Sequence, residues 1–223
     1  MKLVHPDLES QIILEIDVMS VWIIESPALF MRYVQELYFQ TEGVEGHFIL
    51  SEDTIEQGIS KSMEVIVNPF SVDINDRKIL GKLYSRLSEM AFQEEMYMQT
   101  QEIMTVLQNY FFSLEYLSPH MLEADLEVDI SSILRAMGVK FANSADGIFE
   151  NINQYIKIIA ELLRKRVLVL VNARSYFDEK QLEELRKNAI YNEVALLLIE
   201  NQQKSFSKPI KQYIIDEDGC EIF

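Results

Sequence analysis

Short apolar runs alternate along the chain with longer stretches in which apolar residues recur every three or four positions, the pattern of an α/β protein. Residues 12–17 and 20–24 read as two short strands, with Glu15 and Asp17 on an exposed face. Ser26-Pro27 supplies an N-cap followed by proline at the first helical position. The helix it opens, over 27–40, presents Leu29, Phe30, Tyr33, Val34, Leu37 and Tyr38 at helical spacing. MEVIV at 63–67 is a compact strand, stopped by Asn68-Pro69.

From 75 to 117 there is no proline and one glycine, Gly81. Ile79, Leu83, Leu87 and Met90 continue into Ile103, Met104, Leu107 and Phe111 at helical steps, which predicts one very long helix or two helices with a kink. At 1.5 Å per residue, about 40 residues extend roughly 60 Å. A compact domain of this size does not cover that length, so the segment is expected to project. Its far half, with Phe92, Met96, Tyr97, Met98, Tyr110, Phe111 and Phe112, needs cover from another helix of the same chain or from another subunit.

After Ser118-Pro119 an acidic segment over 122–129 leads into a short amphipathic helix through Ile133, Leu134 and Met137, closed by Gly138. A helix over 146–163 carries Ile148, Phe149, Ile152, Tyr155, Ile156, Ile159 and Leu163 on its apolar face. Arg164-Lys165-Arg166 then runs straight into VLVLV at 167–171, which reads as a strand covered on both faces. A helix over 178–189 and the buried strand VALLLI at 194–199 follow, and 213–215 with 221–223 form a terminal strand or hairpin.

With 223 residues, 48% of them hydrophobic, the chain can build a substantial core. No apolar run approaches the roughly 20 residues that span a bilayer. The opening MKLVHPDLES lacks the apolar stretch of a secretory leader, so cytoplasmic residence is the expectation. The single cysteine, Cys220, rules out an intrachain disulfide and a multi-cysteine zinc site, and reads as structural. A net charge of −16 argues, as an average, against a nucleic-acid partner. The charge is uneven, however. Residues 1–67 hold 3 basic and 12 acidic side chains, 68–130 hold 4 and 11, and 131–223 hold 13 of each. Screening limits an exposed charge to about 8–10 Å at physiological salt, so a partner feels a local surface rather than the total.

Glu25, Asn68, Asn172 and Glu200 each follow an apolar strand, at the edge where open α/β sheets bind ligands; turn and cap duty explains the same residues. Neither GxxxxGK followed by Ser or Thr nor GxGxxG occurs, so nucleotide hydrolysis by the usual phosphate loop is not expected. His5, His47 and His120 are dispersed and no GxSxG is present; all three histidines are expected to be exposed and non-catalytic. Glu123, Asp125, Glu127 and Asp129 alternate with Leu122, Ala124, Leu126 and Val128, which in an extended segment puts four carboxylates on one side. Such a set invites a hard cation, and oxygen-only ligation suits calcium better than zinc. A solvated acidic loop, with Asp129 as N-cap of the next helix, accounts for the same residues. Lys78, Lys82 and Arg86 recur every four residues on one helical face, about 6 Å apart along the axis. Lys140, Arg164, Lys165 and Arg166 make a second group if strand and helix ends converge. Both groups read either as solvated faces or as phosphate contacts, which position a nucleic acid without reading its sequence.

Five stretches, in order, carry a family resemblance: VWIIESPALFMRYVQELY, MEVIVNPFSVDINDRKILGKL, ILRAMGVKFANSADGIFE, LLRKRVLVLVNARSYF and YIIDEDGCEIF. Together they resemble the small accessory protein of type II-A CRISPR adaptation, the toroidal DNA-end-binding family needed for spacer acquisition. The resemblance implies an α/β head like a nucleotide-hydrolase domain without its phosphate loop, over 1–72 and 140–223. It also implies a helical extension over 73–139 that assembles homotetrameric rings. Duplex DNA ends would enter a positive central hole, with calcium ions between subunits and no enzymatic activity. Partners would be the spacer integrase complex and the RNA-guided effector nuclease. By position, Asp125, Glu127 and Asp129 match the family's calcium segment, with Glu123 just before it, and Arg164, Lys165 and Arg166 match its basic triplet. The chain departs from the family where Ile130, Ser131 and Ser132 stand in place of further acids.

The combined expectation is a non-catalytic ring binding linear duplex DNA without sequence preference. One rival is an acidic scaffold whose Met- and aromatic-rich helix docks a protein and which binds no DNA. The other is a metal-dependent phosphohydrolase joining the acidic segment to Asn172 or Glu200, which has neither a histidine partner nor a phosphate loop nearby.

Overall fold

The computed structural model describes residues 1–124, 127, 129–142, 147–203 and 210–222. The chain divides into two compact units, Met1–Ile74 with Asn143–Phe223, and Asn75–Ala142. The first unit opens with β1 (Lys2–Val4), β2 (Ile12–Ile13), β3 (Ser20–Ile24), α1 (Pro27–Thr41), β4 (Ile49–Glu52), β5 (Ile55–Gln57), α2 (Ile59–Ser62) and β6 (Met63–Ile66). The second unit contributes α3 (Arg77–Ala91), α4 (Glu94–Leu117) and α5 (Ile130–Ala136). The chain then returns through α6 (Ile148–Glu161), β7 (Val167–Val171), α7 (Glu179–Tyr191), β8 (Ala195–Glu200), β9 (Lys211–Ile215) and β10 (Glu221–Ile222).

A six-stranded sheet in the order β10-β9-β3-β8-β7-β6 organises the first unit. Its five longer strands are parallel and β10 pairs antiparallel with β9. Every residue of β3, β7 and β8 is buried, as the unbroken apolar runs predict for a sheet covered on both faces. Successive side chains point to opposite faces. Trp22, Ile24, Val167, Val169, Val171, Leu197 and Ile199 therefore share one face, which packs with Tyr33, Val34 and Leu37 of α1 and with Leu3 and Leu50 of a small second sheet. That sheet runs β2-β1-β4-β5, antiparallel throughout. Elsewhere in the unit α6 and α7 pack together and α7 packs on β8, burying Ile152, Ile156, Ile159, Leu182 and Leu185.

The α/β class and the strands at 20–24, 63–66 and 167–171 match the reading of the sequence. The strand expected over 12–17 stops at Ile13: Leu14 still pairs with Met1, but the chain then turns into β3, with Ser20 Oγ donating to the Ile13 carbonyl. Ser26 does occupy the N-cap of α1, although its hydroxyl makes no capping bond and proline at N1 defines the start.

In the second unit, α3 and α4 are separate helices broken at Phe92-Gln93, without glycine or proline. The N–H groups of Phe92 and Gln93 donate three residues back, to Glu89 and Met90, and Thr100 Oγ1 donates to the Ala91 carbonyl. Glu94 and Glu95 follow in the first turn of α4, where the helix dipole favours acids. Thr100 is the one buried residue among the 24 of α4. Met98, Ile103, Val106, Tyr110, Tyr116 and Leu117 of α4 are all more than half exposed. Against α3 lies α5: Tyr84 Oη donates to the Val139 carbonyl, and Asn75 exchanges two hydrogen bonds with the backbone of Phe141.

Candidate nucleic-acid interface

The cation stripe on α3 forms because the helix starts cleanly and its apolar residues take the other side. Asp76 is the N-cap, accepting from the Lys78 N–H at 2.7 Å, and Ile79 and Tyr84 are the buried residues. Lys78, Lys82 and Arg86 are all exposed. Arg86 has one partner in Glu89, at 3.4 Å and also exposed, a pair too solvated to hold the guanidinium back. Lys140 is exposed in the same unit, held beside α3 because its neighbours Val139 and Phe141 bond to Tyr84 and Asn75.

The triplet before β7 divides into two kinds of residue. Arg164 is exposed and adopts a left-handed backbone, φ 56°, which turns the chain so that Lys165 points inward. Lys165 is 6% exposed, and its ammonium donates to the Met63 carbonyl at 2.7 Å and pairs with Glu64 at 2.5 Å. The other carboxylate oxygen of Glu64 accepts from Tyr155 Oη at 2.8 Å. Lys165 therefore leaves the set of phosphate-contacting cations: its charge is spent pinning α6 and β7 to the edge strand β6. Arg166 is exposed and paired with Glu52 at 2.6 Å.

The acidic segment is described at three of its four carboxylates; Asp125 lies outside the described residues. Glu123, Glu127 and Asp129 are all exposed. Asp129 caps α5 as its spacing predicted, accepting from Ser132 Oγ at 2.6 Å, Ser132 N–H at 2.9 Å and Ser131 N–H at 3.1 Å. The Ser132 hydroxyl, then the two backbone donors and nearby Arg135, hold this carboxyl below the usual aspartate range. Of the two serines, Ser132 alone adds a side-chain bond to Asp129. A donor set of exposed carboxylate oxygens is of the class that calcium takes.

The polar residues at the strand ends are mostly structural. Asn68 caps the turn after β6, accepting from Phe70 N–H, and Asn172, at φ 51°, accepts from Asn201 N–H. Glu200 is buried and accepts from the Arg174 N–H. His47 and His120 are exposed as expected, but His5 is 4% exposed, packed among Tyr33, Phe48 and His47 and close to Glu36. Residues 5, 36 and 47 share no period or motif, so this cluster carried no sequence signal. No helix among the described residues is long and apolar enough to cross a membrane.

A CRISPR-associated protein Csn2 of Enterococcus faecalis is 25% identical over 172 residues, covering 74% of this chain and 75% of the relative. One of Streptococcus agalactiae is 22% identical over 201 residues, covering 87% and 86%. The fold matches the crystal structure of Stu0660 of Streptococcus thermophilus with a TM-score of 0.67 at 12% identity, over all of this chain and 76% of the other. The family described as CRISPR-associated protein (Cas_Csn2) matches residues 40–219, a span that takes in the α3 stripe, the acidic segment and the basic triplet. By that match, over most of its length, the chain belongs to the CRISPR-associated Csn2 family.

Proposed function

We propose that this chain is a non-catalytic, ring-forming protein of the cytoplasm that holds the ends of linear duplex DNA without sequence preference, in support of spacer acquisition in type II-A antiviral defence. The observation that carries the reading is the exposed stripe Lys78, Lys82 and Arg86, with Lys140 beside its helix, in a chain whose net charge is −16. An acidic protein repels DNA over most of its surface, so a line of unburied cations with one weak partner is where phosphates can approach. Arg164 and Arg166 add exposed cations on the other unit. Repetition around a homotetrameric ring makes each small patch multivalent, which raises avidity without any new contact. The uncovered apolar surface of α4 supplies area for such assembly, since contiguous exposed apolar patches of this kind mark interaction sites. Glu123, Asp125, Glu127 and Asp129 are the residues that would hold calcium, whose charge would offset the acidic segment near DNA. The spacer integrase complex and the RNA-guided effector nuclease are the partners this role implies.

The same exposed α4 face favours a second reading, an acidic scaffold that docks a protein and leaves DNA alone. Sedimentation of the full chain with calcium, with a chelator and with a linear duplex separates the two. The proposal expects a tetramer that carries the duplex with it, and weaker assembly or DNA retention in chelator. A monomer that leaves the duplex unbound under every condition favours the scaffold and overturns the proposal.

A further inference from the structure

We propose that His5, Glu36 and His47 form a binding site for a zinc-class divalent cation, separate from the acidic segment and independent of DNA. His5 directly follows β1, Glu36 lies within α1, and His47 lies two residues before β4. Their side chains are 1%, 17% and 72% exposed, so the site is anchored in the core and opens to solvent on one side. His5 Nε2 stands 3.3 Å from Glu36 Oε2, and His47 Nδ1 stands 2.9 Å from Glu36 Oε1. One ligand atom from each residue lies within 4.8 Å of the others. A tetrahedral zinc ion with bonds of about 2.0–2.1 Å spaces its ligand atoms roughly 3.3 Å apart, close to the two separations from Glu36, and the exposed His47 ring is the ligand with room to adjust.

A second observation points the same way. His5 Nε2 is the buried side-chain nitrogen or oxygen atom among the described residues that lacks a hydrogen-bond partner. It is aimed at a carboxylate and walled in by the rings of Tyr33 and Phe48, at 5.1 and 4.7 Å. Two imidazoles and one carboxylate suit zinc rather than calcium, and three protein ligands leave the fourth position to water.

Both imidazoles change tautomer on binding: the proton that His47 Nδ1 directs at Glu36 Oε1 moves by way of solvent to its Nε2, which frees Nδ1 for the metal. The Asp7 N–H donates to His5 Nδ1 at 3.1 Å, so without metal the neutral ring carries its proton on Nε2. Coordination through Nε2 moves that proton to Nδ1 by way of solvent, with no net release from His5, and the Asp7 amide loses its acceptor. Metal binding is thereby linked to a change in the turn after β1.

The test uses the full chain, stripped with chelator, freed of it and titrated with Zn²⁺ by calorimetry against a background of excess Ca²⁺. One equivalent should bind, and Co²⁺ in its place should show the intense visible bands of four-coordinate cobalt. His47→Ala alters a largely exposed side chain and should fold normally by circular dichroism, yet weaken Zn²⁺ binding by at least about tenfold. In the wild type, the Asp7 amide should exchange faster with zinc than without it. Absence of saturable Zn²⁺ binding overturns the proposal. So does a His47→Ala chain that binds zinc as tightly as the wild type, which would assign the metal to other surface groups.

Discussion

Lys165 and its neighbours show how differently adjacent cations behave. Removing one partner of a buried ion pair costs about 3–5 kcal/mol, because the other charge is stranded. Glu64 keeps 22% of its side-chain surface exposed, which softens that cost. Lys165→Ala should therefore destabilise the chain by about 2–3 kcal/mol. Arg164→Ala and Arg166→Ala should each cost no more than about 1 kcal/mol, the scale of exposed pairs and surface side chains. Urea unfolding of the three variants checks this, and a Lys165→Ala chain as stable as the wild type would contradict the structural role. The contrast also marks what a residue's sequence context reveals. The Asp129 cap is local, joined to donors two and three positions on, and was readable. The fate of Lys165 depends on Met63, Glu64 and Tyr155, and the first two lie some hundred positions away. The His5 cluster was hidden for the same reason.

At the scale of elements, the most legible strands are those buried along their whole length, such as VLVLV and the core of VALLLI. Of the small sheet only β2 was read, and at more than its true length, because the other strands are three or four residues long and mix charged with apolar positions, as in Lys2–Val4 and Ile55–Gln57. Its β4–β5 hairpin turns at Asp53, at φ 54°, a position that glycine more often marks. The break between α3 and α4 left only the pair Glu94-Glu95 as its trace. The functional weight of α3 is testable by itself. Changing Lys78, Lys82 and Arg86 to alanine keeps strong helix formers in place, so helix content should not change. If each cation contacts one phosphate, the salt dependence of duplex binding should flatten by about 0.9 per contact in log–log slope, equally across sequences. A triple variant with the wild-type slope would place the DNA elsewhere.

For the molecule as a whole, a net charge of −16 would confine a DNA partner of the kind proposed to local basic surface. The entire excess lies before residue 131, and the chain beyond it is balanced. The exposed cations of α3 are an exception inside that acidic half, which is why the proposed contact falls on them. If DNA is held by its ends, as proposed, affinity for duplexes that differ only in their ends shows it most directly. With calcium present and salt near physiological, the full chain should bind open linear duplex well. It should bind poorly to the same duplex with bulky blocks at both ends, and to a closed circle. Equal affinity for the open and blocked duplexes would contradict the account.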